Sequence, residues 1–173
     1  MGRSVVSAHD QTHRERLKRV LDLTKREAYH LEQVTQRFFG GTEKVDRAWL
    51  TKCLSTPEGI DRLESFGGKF GRLQDTLSDK VLPVFLRVAG EVPGTAVENI
   101  NRAERLGIIP NAQEWLGARG LRNQLAHEYI DDLNDLAASL NVARRFAAIL
   151  ISTTHAFDAY VEQRLSPSWR AED

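Results

Sequence analysis

The stretch IDRLESFGGKFGRLQDTLSDKVLPVF, residues 60–85, has the periodicity of an amphipathic helix. Its apolar residues recur every three or four positions, which puts them on one helical face. They are Ile60, Leu63, Phe66, Phe70, Leu73, Leu77, Val81, Leu82 and Phe85. Just before the stretch, Thr56 followed by Pro57 is typical of an N-cap with proline at the first helical position. The sequence therefore predicts a long helix that buries a single face.

Glycine and proline interrupt this predicted helix. Gly67, Gly68 and Gly71 lie inside the apolar stripe, and each costs about 1 kcal/mol relative to alanine in a helix. Pro83 removes one backbone donor. We therefore expect a kink or close packing at the glycines, and a second bend at Pro83.

The same helical period continues on both sides of this stretch. Apolar stripes predict further helices over residues 14–39, 44–54, 96–106, 111–125 and 133–165. Gly40-Gly41 and the sequence GEVPGT at 90–95 separate them, and no convincing strand alternation or internal repeat is present. The predicted fold is all-α: a single domain over residues 1–173, built as an antiparallel helical bundle of four main helices plus one or two short helices.

Composition narrows the class of protein. Lysine plus arginine total 24, and aspartate plus glutamate also total 24, so the whole chain has no general attraction to nucleic acid or anionic lipid. Cys53 is the only cysteine, which excludes an intramolecular disulfide. No uninterrupted apolar run approaches the roughly 20 residues that span a bilayer, and the first residues lack the apolar segment of a secretory signal. We expect a cytoplasmic protein without a membrane partner.

Two sequence features could indicate a binding site: a basic run and the histidines. The basic run HRERLKR at 13–19 is interrupted by Glu15 and followed by Asp22, which favours a solvated helix face over an RNA-binding stripe. The histidines are scattered rather than clustered with the spacing of metal ligands. No metal or cofactor is predicted.

Polar residues gather in one short stretch, LRNQLAHEYI at residues 121–130. Asn123 and His127 are four apart and share a helical face. A histidine near the end of a helix titrates near neutrality and can move protons, while Arg122 offers a fork of donors suited to phosphate. A proton-transfer group and a phosphate-binding group are what RNA cleavage without a metal requires. The same residue types also form structural capping networks at helix ends.

The motif R-N-Q-L-A-H-E-Y resembles the signature of the HEPN superfamily (higher eukaryotes and prokaryotes nucleotide-binding domains). Arg122 and His127 are separated by four residues, and Tyr129 completes the R-x4-H-x-Y form of HepT-like toxins. The resemblance covers roughly residues 55–165, and residues 1–50 form a longer N-terminal helical extension than the shortest members have.

The resemblance implies a function and residue roles. Arg122 and His127 correspond to a metal-independent ribonuclease pair that leaves a cyclic phosphate on the product, with Asn123 helping to orient it. Members are usually homodimers whose two motifs face one RNA cleft. Tyr129 corresponds to the tyrosine that a cognate minimal nucleotidyltransferase antitoxin modifies with AMP. Phosphate added beside Arg122 would block the cleft and occupy the arginine, so this regulation is physically reasonable.

Further supporting groups and alternative functions follow from the same region. Arg72 and Asp75 are three apart and could pair on one helix face near the cleft, or form an ordinary surface ion pair. Besides the ribonuclease toxin, two alternatives are a non-catalytic HEPN subunit that binds nucleotide or substrate for a partner nucleotidyltransferase, and a helical interaction protein in which the motif only caps and cross-links helices.

Overall fold

The computed structural model describes residues 8–126 and 132–164 of the chain. These residues form helices and contain no strand, which confirms the all-α class. The elements are α1 (Ala8–Phe39), α2 (Arg47–Leu54), α3 (Pro57–Asp75), a π-helical segment (Thr76–Val81), α4 (Leu82–Val88), α5 (Ala96–Arg105), α6 (Ala112–Ala126) and α7 (Leu133–Arg164). The helix α3, the π-helical segment and α4 follow one another without a break and form one continuous rod. The described residues therefore contain six separate helical rods. The predicted antiparallel bundle of four main helices is not confirmed.

Side-chain caps fix several helix starts. The Thr56 hydroxyl accepts a hydrogen bond from the Gly59 amide at 3.1 Å, as its position before Pro57 predicts. Thr95 and Glu98 form a reciprocal capping box at the start of α5. The hydrogen bonds from Thr95 hold the pKa of the Glu98 carboxyl below its usual value. These starts are therefore encoded locally.

The predicted interruption in the long helix takes the form of a wider turn. Before Pro83 the backbone widens into the π-helical segment, where the Leu82 amide donates to the Leu77 carbonyl, five residues back. Proline lacks an amide hydrogen and its ring collides with the carbonyl four residues earlier. A turn with one extra residue relieves that collision, so the rod continues to Val88.

The helix α1 belongs to the core of the molecule. It packs against α3, α4 and α7. Its buried apolar residues are Leu17, Leu21, Ala28, Leu31, Val34, Phe38 and Phe39. The N-terminal part of the chain is thus one side of the same core, and it can contribute to a site on α3.

The last helix, α7, is long and apolar enough to cross a bilayer by length and composition. The sequence had not led us to expect such a helix, because it contains no uninterrupted apolar run of the length that spans a bilayer. The inward face of α7 is buried among α1, α2, α3 and α6. This burial is what the apolar stripe of a core helix provides.

Candidate functional site

The helices α3 and α6 run antiparallel where they meet. Gly71 of α3 lies against Arg122, near the end of α6. Further along the same rod, the Ser78 hydroxyl accepts a hydrogen bond of 3.0 Å from the indole N–H of Trp115, near the start of α6. Residue numbers therefore increase along one element in the direction in which they decrease along the other. This antiparallel pairing puts Arg122 of the motif beside the C-terminal half of α3.

Glycines in α3 allow the close approach to α6. A Cβ on Gly71 would lie 3.1 Å from Cγ and 3.3 Å from Nε of Arg122, tighter than ordinary contact. A Cβ on Gly67 would lie 3.7 Å from the Leu125 carbonyl oxygen. The close packing expected at these glycines is present, and it lays the stem of Arg122 across the surface of α3.

The guanidinium of Arg122 is held by two hydrogen bonds. Its Nη2 lies 2.6 Å from Oδ2 of Asp75, and its Nη1 donates to Oδ1 of Asn123 at 3.1 Å. The Asp75 carboxylate thus binds an arginine from another helix rather than Arg72 three residues before it. The Arg122 and Asp75 side chains are 38% and 44% exposed, so the pair stabilises the fold by no more than about 1 kcal/mol. These two bonds engage two of the arginine's five N–H donors.

A cleft of about 680 Å³ opens beside this ion pair. Its lining residues come from α1, α3, the π-helical segment and α6: Glu27, Gly67, Gly68, Gly71, Arg72, Asp75, Thr76, Lys80 and Arg122. Three of them are cationic and two are carboxylates, so the lining has a net charge of +1. Clefts of this size hold small ligands, and the excess of cations favours an anionic one.

Glu27 is one of three cleft residues that the sequence did not single out, with Thr76 and Lys80. It reaches the cleft from α1, which had no functional interpretation. Its Oε2 is shielded from water and has no hydrogen-bond partner among the described residues. A local motif could not have identified it, because Glu27 and Arg122 are brought together only by the packing of α1 and α6 on α3.

Two polar contacts join the π-helical segment to α6 beyond the cleft. The hydrogen bond between Trp115 and Ser78 is buried. The Arg119 guanidinium lies 3.8 Å from Asp79, and both side chains are exposed. Together with Arg122 and Asp75, they fix the register of α6 along this rod.

The predicted proton-transfer residue and the predicted modification site, His127 and Tyr129, lie outside the described residues. The helix α6 ends at Ala126, immediately before His127 in sequence. The structure therefore describes Arg122, Asn123, Arg72 and Asp75 of the predicted site. Within the described part of the chain, no three histidine, cysteine or acidic residues are grouped so that they could hold a metal ion.

Comparisons with family models, with curated proteins and with solved structures find no match to this chain. The HEPN resemblance accordingly stays a prediction carried by the motif at residues 122–129.

Proposed function

We propose that this protein is a metal-independent endoribonuclease toxin of a HEPN and minimal nucleotidyltransferase toxin–antitoxin system. The observation that carries the proposal is the position of Arg122, which lines a cationic cleft together with Arg72 and Lys80. An arginine fork beside further cations is suited to an RNA phosphate. The motif adds a histidine five residues later in the chain.

In the proposed reaction, His127 takes the proton from a ribose 2′-hydroxyl. The 2′ oxygen forms a bond to the adjacent phosphorus, the bond from phosphorus to the 5′ oxygen breaks, and a proton returns to that leaving oxygen. The products are a 2′,3′-cyclic phosphate and a 5′-hydroxyl. Arg122 stabilises the extra negative charge on the phosphoryl oxygens as they pass through the pentavalent state.

Asn123 and Asp75 act as positioning residues for Arg122. Asp75 holds one terminal nitrogen and Asn123 accepts from the other. A guanidinium fixed in this way loses less conformational entropy when it binds phosphate. Its remaining donors stay available to the substrate.

The family resemblance supports three further parts of the proposal. Two copies of the chain pair so that their motifs share one RNA cleft, and the main helices form an antiparallel bundle. A cognate nucleotidyltransferase antitoxin silences the toxin by attaching AMP to Tyr129. Adding a phosphate there would place negative charge near Arg122 and compete with RNA for it.

One observation favours the second candidate, a non-catalytic HEPN subunit that binds nucleotide for a partner nucleotidyltransferase. The Asp75 carboxylate lies 2.6 Å from the Arg122 guanidinium and neutralises part of its charge. An arginine held in this way can bind a phosphate without promoting its cleavage.

Growth after induced expression distinguishes the two candidates. We expect the wild-type chain to arrest growth and fragment cellular RNA, and Arg122→Ala and His127→Ala each to abolish both effects. Arg119→Ala is the matched control, because Arg119 is also on α6, is similarly exposed, pairs with an acidic residue of the same rod and lies outside the cleft.

Harmless expression of a folded, soluble wild-type chain with intact RNA would overturn the toxin proposal and favour the non-catalytic subunit. Loss of arrest in Arg119→Ala as well would show that the effect does not depend on the cleft.

A further inference from the structure

The cleft contains two kinds of binding group. The cations Arg72, Lys80 and Arg122 line it together with a glycine surface. Glu27 approaches from α1 as a carboxylate, and Asp75 is already engaged by Arg122. A ligand that matches this lining carries negative charge for the cations and N–H donors for the free carboxylate.

The surface of α3 in the cleft leaves room for a flat group. Gly68 is exposed, and a Cβ built on it would meet nothing within 4 Å. Gly67 beside it also has no side chain to fill the space. Two adjacent glycines inside a helix lower its stability, and in return they let a planar ring lie against the backbone.

Glu27 has hydrogen-bonding capacity that the described part of the chain does not use. Its Oε2 is shielded from water and has no partner among the described residues, which is unfavourable for a carboxylate oxygen. The ion pair of Arg122 is with Asp75. A small rotation of the Glu27 side chain on the arrival of a donor would relieve this desolvation.

Among the RNA bases, guanine matches a carboxylate best. Its N1–H and N2–H₂ donate in parallel, so one carboxylate can accept both bonds. Adenine and cytosine offer one amino group beside a ring nitrogen that is itself an acceptor, and uracil offers one N–H between two carbonyl oxygens. An acceptor-only side chain is repelled by each of those acceptors.

We propose that the cleft between α1, α3 and α6 is a subsite for one unpaired guanine nucleotide of the RNA, and that Glu27 selects the base. The base lies on the Gly67-Gly68 surface with its Watson–Crick edge at Glu27, and its phosphate lies among Arg122, Arg72 and Lys80. The inference rests on the proposed ribonuclease function, since it assigns the substrate preference of the same site.

Binding of single nucleotides tests the subsite without requiring cleavage. Isothermal titration of the full chain with guanosine, adenosine, cytidine and uridine monophosphates, at fixed ionic strength, is expected to favour guanosine monophosphate. A two-bond carboxylate contact to a base edge predicts a preference of about 10- to 100-fold.

Glu27→Gln gives a readout that a structural role would not produce. Glutamine pairs an acceptor with a donor, which matches the amino group and ring nitrogen of adenine or cytosine. We expect the variant to lose the guanine preference and to bind adenosine or cytidine monophosphate more tightly than wild type does. An unchanged guanine preference in this variant, or equal binding of all four nucleotides by wild type, would overturn the assignment of Glu27.

Gly68→Leu tests the position of the base independently. Gly117→Leu is the matched control, because Gly117 lies inside α6, outside the cleft, and a Cβ there also meets nothing within 4 Å. Both variants should fold at least as well as wild type. Only Gly68→Leu should weaken binding of guanosine monophosphate. The loss should be about 10-fold or more, because the leucine side chain displaces the base and with it the two hydrogen bonds to Glu27. Equal binding by both variants would overturn the subsite.

The outcomes separate this inference from the proposed function. Guanine-selective binding by a chain that cleaves no RNA would leave the subsite intact and overturn the ribonuclease. RNA cleavage without preference for a guanine beside the cut would leave the ribonuclease intact and overturn the subsite.

Discussion

Two of the three polar contacts that join α6 to the same helical rod differ in burial and in charge. The indole of Trp115 donates to Ser78 at 3.0 Å inside the core, where these residues are 1% and 6% exposed. Two turns further along α6, Arg122 meets Asp75 at 2.6 Å with both side chains more than a third exposed. The first contact combines a large apolar burial with one neutral hydrogen bond, whereas the second is a charged pair that water can reach.

The comparison shows that one helix carries both a residue suited to stabilising the fold, Trp115, and a residue suited to binding a ligand, Arg122. A buried aromatic side chain fixes the helix in place and is too enclosed to meet a ligand. An exposed ion pair adds little to the fold, yet its guanidinium keeps donors for a phosphate. We therefore infer that Trp115, near the start of α6, anchors the helix, and that Arg122, near its end, belongs to the candidate site.

The largest expected effect comes from the anchor. Trp115→Ala should lower the free energy of unfolding by about 3–5 kcal/mol, because it leaves a cavity in a close-packed core. Urea denaturation followed by circular dichroism measures this loss. Trp49→Ala, at a partly buried tryptophan that meets Phe38 edge-on at 5.5 Å, should cost less. An equal cost for the two variants would contradict the assignment of Trp115 as the main anchor.

Removing only the Ser78 hydroxyl, which accepts the hydrogen bond from Trp115, should have a smaller effect. Ser78→Ala leaves the buried indole N–H without its acceptor, which costs about 1–3 kcal/mol. Ser152→Ala serves as a control, because its exposed hydroxyl donates to a carbonyl of its own helix. If the two serine variants are equally stable, the indole N–H has found another partner.

The glycines of α3 should respond differently to one added methyl group. Gly68→Ala should raise stability by up to about 1 kcal/mol, since alanine favours a helix and the space is empty. Gly71→Ala gains the same helical preference but brings its Cβ to 3.1 Å from Cγ of Arg122, which must move. We expect a smaller gain from Gly71→Ala, seen in the melting temperature, together with altered RNA cleavage. Identical melting curves and cleavage rates would show that Arg122 does not depend on this contact.

The exposed pair should give the smallest change in stability. Asp75→Asn is expected to cost less than about 1 kcal/mol, and the cost should shrink at high salt because an exposed pair is screened. Urea denaturation at low and high salt checks both points, with Asp79→Asn as a control for a longer contact of 3.8 Å. A salt-independent loss well above 1 kcal/mol would mean that the Arg122 pair belongs to the core.

The helices could be predicted because their signals are local. Apolar spacing placed the stripe of residues 60–85, and Thr56 before Pro57 marked the start of α3, where the Thr56 cap is formed. The form of the interruption near Pro83 could not be predicted. Proline indicates that the α-helical turn is disturbed, but the surrounding packing decides between a kink and the π-helical turn that is present.

The contacts of the candidate site were predicted only in part. The motif drew attention to Arg122 and Asn123 because they are neighbours in sequence, and they do share a hydrogen bond. The partner of Asp75 was not Arg72 on the same helix but Arg122, 47 residues away. Glu27 carried no local signal, since one acidic residue on a charged helix resembles any other.

The sequence by itself determined that the described residues are helical, where α3, α5, α6 and α7 begin, and that Arg122 and Asn123 lie near the end of α6. These properties depend on neighbours within a few residues, which share a helical face or a cap. Only the tertiary structure decided which groups stand together: the arginine of α6 against the glycines and Asp75 of α3, with the carboxylate of α1 beside them. Those contacts follow from burying three apolar faces in one core, and that arrangement is a property of the whole chain rather than of any segment.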